Sequence, residues 1–223
     1  MTNDADSAVK PAASSRGKPQ SKGAIKAAGS KENDLRRRKL LDAALAVFIR
    51  YGFRKSSMDE VARAAQVSRQ GLYLHFATKE EIFRAALHYA LDNGFTAATA
   101  CLSDEALPLE TRLVQAFDQW IGRYIGMMGA GAADLTEASN ELADSALEHY
   151  ENLFVEAVAK TLRASGLMAA YKPAGLTARQ LAETLSATAR GFKYSCGSRT
   201  DFVTGFTIAV RAMCMPLREP HER

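Results

Sequence analysis

Residues 52–87 read GFRKSSMDEVARAAQVSRQGLYLHFATKEEIFRAAL. Ser57 and Glu60 have the S-x-x-E spacing of a capping box, which opens a helix. Met58, Val61, Ala62 and Ala65 give that helix an apolar face, from Met58 to about Ala65. Ser68 is a second N-cap residue, opening another short helix from Arg69 to about Leu74. Gln66 and Val67 lie between them as a turn, with Val67 as its buried anchor. Thr78 and Glu81 repeat the capping-box spacing, and a long helix begins there. Two short helices joined by a tight turn, the second led by polar residues, make a helix-turn-helix.

Outward from this stretch the apolar period stays helical. Upstream, from Asn33, Leu41, Leu45 and Phe48 share a face, and Gly52 stops that helix. Downstream come stripes through Ile82, Phe83, Ala86, Leu87, Ala90 and Leu91, then Leu113 to Met128, then Leu142 to Leu162. Leu181 to Cys196 and Phe202 to Met213 follow. Pro108, Pro173, Pro216 and Pro220 fall between or after the stripes, where helices tolerate them. No stretch alternates over strand length. The sequence predicts an all-α fold of eight or nine helices, with a loop at Gly126–Gly131.

The chain has 223 residues, 47% of them hydrophobic and 24% charged, enough for one or two domains with a core. Its longest apolar run, Ala43 to Ile49, is too short to span a bilayer. The start lacks the apolar segment of a secretory signal. Cys101, Cys196 and Cys214 show neither C-x-x-C spacing nor a disulfide framework, which predicts buried, inert thiols in a reducing, cytoplasmic setting. Residues 1–31 and 32–90 each carry a net charge of +4, and residues 91–223 carry −4. The basic front suits a polyanion or a solubilising tail. Residues 1–31 are low in complexity and are read as a disordered basic tail. Within it, Arg16-Gly17-Lys18-Pro19 resembles the core of an AT-hook or is plain linker.

The helix-turn-helix chemistry suits DNA. Arg69 can donate two parallel bonds to guanine, and Gln70 can pair with adenine in the same manner. Gly71 removes a side chain where the backbone nears a duplex, and Tyr73 offers a hydroxyl to phosphate. Ser57, Ser68 and Lys79 stand at helix starts, where free N–H groups attract phosphate. His75 lies inside the motif and packs or bonds locally or at the interface. Arg36 and Arg37 open a run, with Arg38 and Lys39, that is either a phosphate contact or a solvated face.

The ordered set Tyr51-Gly52-Phe53, Ser56-Ser57, Glu60-Val61-Ala62, Ala65, Val67-Ser68, Gly71-Leu72-Tyr73, His75-Phe76 and Thr78-Lys79-Glu80-Glu81 resembles the TetR/AcrR family of bacterial transcriptional regulators. The resemblance covers roughly residues 40–87. It departs at Gln66, where the family usually has Gly; a left-handed backbone there costs Gln about 1 kcal/mol. The resemblance implies a three-helix DNA-binding domain over residues 32–78 and a helical ligand-binding and dimerisation domain over 79–223. It further implies a homodimer on a palindromic operator, released by a small molecule, most often as a repressor. The last two helices would pair with their mates through Phe192, Phe202, Phe206 and Met213, or pack only within the subunit. Trp120, Tyr124, Met128, Tyr150 and Phe154 are the candidate ligand residues, and equally candidates for core. Arg123 and His149 are candidates for orienting a polar group of the ligand.

No catalytic motif competes. His75, His88, His149 and His221 have no H-E-x-x-H spacing, and there is no P-loop, G-x-G-x-x-G or G-x-S-x-G. The sequence predicts no enzyme, no metal, no cofactor and no membrane partner. The alternative is a non-specific architectural DNA-binding protein driven by the tail.

Overall fold

The computed structural model describes residues 22–127, 132–142 and 145–217. Regular structure among them is entirely helical. The helices are α1 (Lys22–Tyr51), α2 (Met58–Ala64), α3 (Arg69–Tyr73), α4 (Lys79–Ser103) and α5 (Leu109–Trp120). They continue with α6 (Ala132–Leu142), α7 (Ala146–Ala164), α8 (Met168–Tyr171), α9 (Ala178–Ser195) and α10 (Arg199–Cys214). No helix among the described residues is long and apolar enough to cross a membrane.

The chain divides after Arg36. In the first part the described residues are the opening turns of α1, with Asn33 to Arg36 exposed. The tail reading ended at Lys31, but helix begins at Lys22. Ala24, Lys26, Ala27 and Ala28 are good helix formers, and extending a nucleated helix needs no second nucleation. Residues 1–21, with Arg16–Pro19, lie outside the described residues.

In the second part, residues 37–223, α1 to α4 enclose a first core of Leu41, Phe48, Val61, Leu72, Phe76, Ile82 and Phe83. Phe48, Phe53 and Phe83 meet edge to face or tilted, with ring centroids 4.9–5.9 Å apart. This core runs past residue 78 into α4. Further along, Ala98 and Leu102 of α4 enter a second core with Leu113, Phe117, Phe154, Leu185, Phe202 and Phe206.

The apolar stripe from Leu113 does not make one helix. Helix α5 stops at Trp120, and a 3₁₀ turn follows at Gly122–Tyr124. A Cβ on Gly122 would stand 2.9 Å from the Phe202 ring, so the chain approaches α10 more closely than any other residue allows. Met128 and most of the Gly126–Gly131 loop lie outside the described residues. Leu142 closes α6 rather than opening α7. Helix α6 lays Leu135, Ala138 and Leu142 on the first core. It is held through Ala138 in the first core and through Arg54, whose N–H donates to Asp134 Oδ2 at 2.7 Å and whose guanidinium meets Glu137 at 2.9 Å.

The four residues assigned to a dimer interface pack inside the subunit. Phe202 and Phe206 are 0% exposed and stacked at 5.5 Å. Phe192 lies against the backbone of Gly205, where an added Cβ would come within 2.8 Å of its ring. Met213 packs on the second core, and its carbonyl accepts the Tyr171 hydroxyl at 2.7 Å. The strongest apolar stripe of a helix belongs to the core it faces. The opposite faces of α9 and α10 carry smaller residues and Ile208, which is 65% exposed. Cys214 is buried and Cys101 and Cys196 are half-buried, and burial raises the Cys101 thiol above its ordinary pKa.

Gln66 has φ 57°, in the left-handed region. Its side chain is exposed. Gln66→Gly is therefore expected to stabilise the fold by up to about 0.5 kcal/mol, the left-handed cost less the extra unfolded-state entropy of Gly. Urea unfolding with equal slopes measures this. An unchanged or lower midpoint would mean that Gln66 bears no such strain.

Candidate functional site

Local sequence builds the helix-turn-helix as read. Ser57 Oγ accepts from Glu60 N–H at 3.3 Å, and the Glu60 carboxylate accepts from Ser57 N–H at 2.8 Å. Ser68 Oγ accepts from Gly71 N–H at 3.0 Å. Thr78 caps α4 through Glu81 N–H, but Glu81 reaches back to Ala77 N–H rather than closing the box on Thr78. Val67 is 38% exposed, so the buried anchors of this pair are Ala62 and Leu72 instead.

The second helix turns Arg69, Gln70, Tyr73 and His75 to solvent. Arg69 Nη1 donates to Asp59 Oδ2 at 2.9 Å, and its guanidinium lies 5.6 Å from the Tyr73 ring centroid. Those two contacts pre-orient it across α3. Gly71 has a nearer reason than approach to a duplex: a Cβ there would stand 3.1 Å from the capping Ser68 oxygen. The Arg37 guanidinium is 5.2 Å over the Phe76 ring, anchored on the first core, and Arg36 is exposed in the N-terminal part.

Lys79 differs from its expected phosphate role. Its Nζ donates to the carbonyls of Phe53 at 3.0 Å and Ser56 at 3.2 Å, and sits 4.3 Å over the Phe53 ring. The side chain ties the start of α4 to the α1–α2 loop. Its neighbour in space, Ser56, is buried and donates to the Phe53 carbonyl at 2.8 Å. The sequence reading missed Leu74, an apolar side chain 81% exposed at the end of α3.

A cavity of about 430 Å³ lies among α1, α4, α5, α6, α7 and α9. Its apolar wall includes Leu45, Leu91, Trp120, Ile121 and Phe154. Trp120 stacks on Phe154 at 5.2 Å. Of the candidate ligand residues, Trp120, Tyr124 and Phe154 line it. Burial raises the Tyr124 phenol above its ordinary pKa, with Arg123 opposing. Tyr150 does not line it; its hydroxyl donates to Asp92 at 3.3 Å and its ring packs on Phe95. Arg123 lies over the Tyr124 ring and His149 is exposed, both off the wall. Met128 lies outside the described residues.

The polar wall comes from residues the sequence reading left out. Ser186, Arg190 and Lys193 are spaced by four and three on α9 and so share a face. Glu151 of α7 is 3.8 Å from Arg190. Burial lowers the Lys193 ammonium from its ordinary pKa, partly offset by Glu151. The spacing was visible in the sequence; that this face turned to a cavity was not.

The sequence model of bacterial regulatory proteins, tetR family, matches residues 40–86. The helix-turn-helix segment is thus similar to the DNA-binding region of that family. Its relatives include the uncharacterized HTH-type transcriptional regulator YfiR of Bacillus subtilis, 41% identical over 61 residues, 27% of this chain and 30% of that protein. The HTH-type transcriptional activator FasR of Mycolicibacterium smegmatis is 38% identical over 78 residues, 35% of this chain and 36% of that protein. The chain thus matches about a third of the length of these relatives. Solved structures extend the likeness of fold beyond that segment. A transcriptional regulator from Rhodococcus sp. Rha1 aligns with TM-score 0.61 at 20% identity, over 81% of this chain and 96% of that one. The TetR transcriptional regulator of Legionella pneumophila aligns with TM-score 0.59 at 18% identity, over 78% and 94%.

Replacing Lys79 by Met removes the side-chain donor to the Ser56 carbonyl and one of the donors to the Phe53 carbonyl, which keeps the Ser56 hydroxyl. The expected cost is about 1–3 kcal/mol of stability, read by urea unfolding. Unchanged stability would return Lys79 to a contact made only with DNA.

Proposed function

We propose that this protein is a ligand-responsive, sequence-specific DNA-binding transcriptional regulator: a homodimeric repressor released from a palindromic operator by a small molecule. The observation that carries this reading is the make-up of the cavity wall. Leu45 and Ile49 of α1, the first helix of the DNA-binding domain, stand in it beside Trp120 and Phe154. An occupant of that cavity touches the DNA-binding domain directly.

In this reading α3 enters the major groove. Arg69 and Gln70 read base edges, Tyr73 and His75 reach the backbone, and Leu74 meets a thymine methyl. Ser57, Ser68, Gly71 and Arg37 frame the phosphate contacts, and Arg36 adds charge from the N-terminal part. The dimer forms through the outer faces of α9 and α10, with Ile208 and Met215 as apolar anchors among Thr184, Ala187 and Thr204. Two recognition helices then meet successive major-groove faces of a palindrome. Effector entry spreads α4 from α6. Helix α6 holds the α1–α2 loop through Arg54 and receives Arg84 at the Leu142 carbonyl, at 3.1 Å. The spacing of the two recognition helices changes only by as much as the effector's preference for one state supplies.

Selection of genomic fragments by the full-length protein at near-physiological salt tests the reading. An enriched palindrome supports it. Uniform recovery, with affinity falling steeply in salt, points instead to an architectural protein driven by its basic front. Arg69→Ala should weaken operator binding by about 1–3 kcal/mol and relax one operator position. An equal loss on operator and scrambled DNA would remove its base-reading role. Ile208→Asp should shift the protein from dimer to monomer in light scattering while its helical circular dichroism stays. A retained dimer would assign the interface elsewhere.

A further inference from the structure

The cavity wall carries an imbalance of charge and an idle hydroxyl. Arg190 and Lys193 bring two cations and Glu151 one anion, a surplus of one positive charge. Glu151 does not fully occupy Arg190, because 3.8 Å is an ion pair without a hydrogen bond. Among the described residues no carboxylate lies within 4 Å of the Lys193 ammonium. Its burial has no full compensation from the chain, and half-buried ammonium groups are costly without a partner.

Ser186 supplies the second observation. It is 5% exposed, and its hydroxyl has no hydrogen-bond partner among the described residues. Serine and threonine inside helices commonly bond the carbonyl four residues back. On this same helix Thr184 does so to Gln180 at 2.8 Å, Thr188 to Thr184 at 2.8 Å and Ser195 to Gly191 at 3.2 Å. Ser186 alone of this group lines the cavity, one turn from Arg190, and leaves its oxygen unpaired. Buried unpaired hydroxyls are rare and call for a missing partner.

We infer that the effector is an amphipathic monoanion, its carboxylate held by Lys193, Arg190 and the Ser186 hydroxyl and its aliphatic or aryl body laid against Trp120 and Phe154. This rests on reading the cavity as the effector site. A single negative charge matches the surplus of one; a doubly charged phosphate would leave a net negative wall. The donors match a carboxylate in kind, since Arg and Lys give charge-assisted bonds and Ser adds a third. The opposite wall is aromatic and aliphatic, and its burial favours an apolar body. Carboxylate binding draws Arg190 from Glu151, so the polar link between α7 and α9 runs through the occupant while their apolar packing stays.

Trp120 is the chain's one tryptophan, so intrinsic fluorescence reports on this wall. The full-length protein is titrated with decanoate, decanol and decylammonium, and with 4-phenylbutyrate, 4-phenylbutanol and 4-phenylbutylammonium, by fluorescence and by calorimetry. The carboxylate of at least one series is expected to bind about tenfold or more tighter than its alcohol and its ammonium. In Lys193→Met and in Ser186→Ala that preference should shrink, to below about twofold in the former, and Lys193→Arg should keep it. Alcohol or ammonium binding as tightly as carboxylate in both series overturns the charge inference and leaves the effector cavity standing. No fluorescence change and no heat with any of the six overturns both.

Discussion

Helix α4 belongs to two hydrophobic cores at once, and the rest of the molecule is arranged by that constraint. Ile82, Phe83 and Ala86 sit in the first core; Ala98 and Leu102 sit in the second. At 25 residues it is about 37 Å long. A helix packed at both ends moves as a rod, because close-packed cores repack in steps rather than deform smoothly. Between the two cores α4 presents Leu87, Ala90, Leu91 and Gly94 to the cavity. The cavity therefore lies beside the one element, among the described residues, that cannot shift without both cores responding.

The helix-turn-helix was legible almost residue by residue, because its signals are local. Ser57, Ser68 and Thr78 mark helix starts through bonds made within three residues. Gln66 was readable as a left-handed residue for the same reason. Long-range facts were not legible. Phe202 and Phe206 look alike from sequence whether they face a partner or a core, since periodicity gives a face and not its neighbour. Tyr150 and Trp120 are both aromatic on amphipathic helices, yet only one reaches the cavity. Helix α6 escaped because its stripe is short, only Leu135, Ala138 and Leu142, and its remaining anchor is Arg54, 80 residues away from Asp134 in the chain.

Helix α9 carries three different demands on three faces. Leu181, Leu185 and Ala189 fill the core. Ser186, Arg190 and Lys193 form the polar cavity wall. Thr184, Ala187 and Gly191 are small residues open to solvent. Small side chains allow close approach of a second helix without strong apolar exposure in a lone subunit. The same helix thus joins the core, the cavity wall and an open surface of small residues, and its capping box at Thr177 and Gln180 secures the end from which all three faces run.

Gly94 is a small feature with a wide consequence. A Cβ at that position would stand 3.4 Å from the Trp120 indole, and it would do so from the cavity side of α4. The six-membered edge of the indole faces the bare Cα of Gly94, which leaves a methyl's volume open to the cavity. A single-base change from glycine to alanine would set a methyl in contact with the ring and trim the chamber while leaving every exposed residue of α3 untouched. The shape of the chamber is thereby separable from the surface of α3, and a lineage can remodel one by a single small substitution and keep the other.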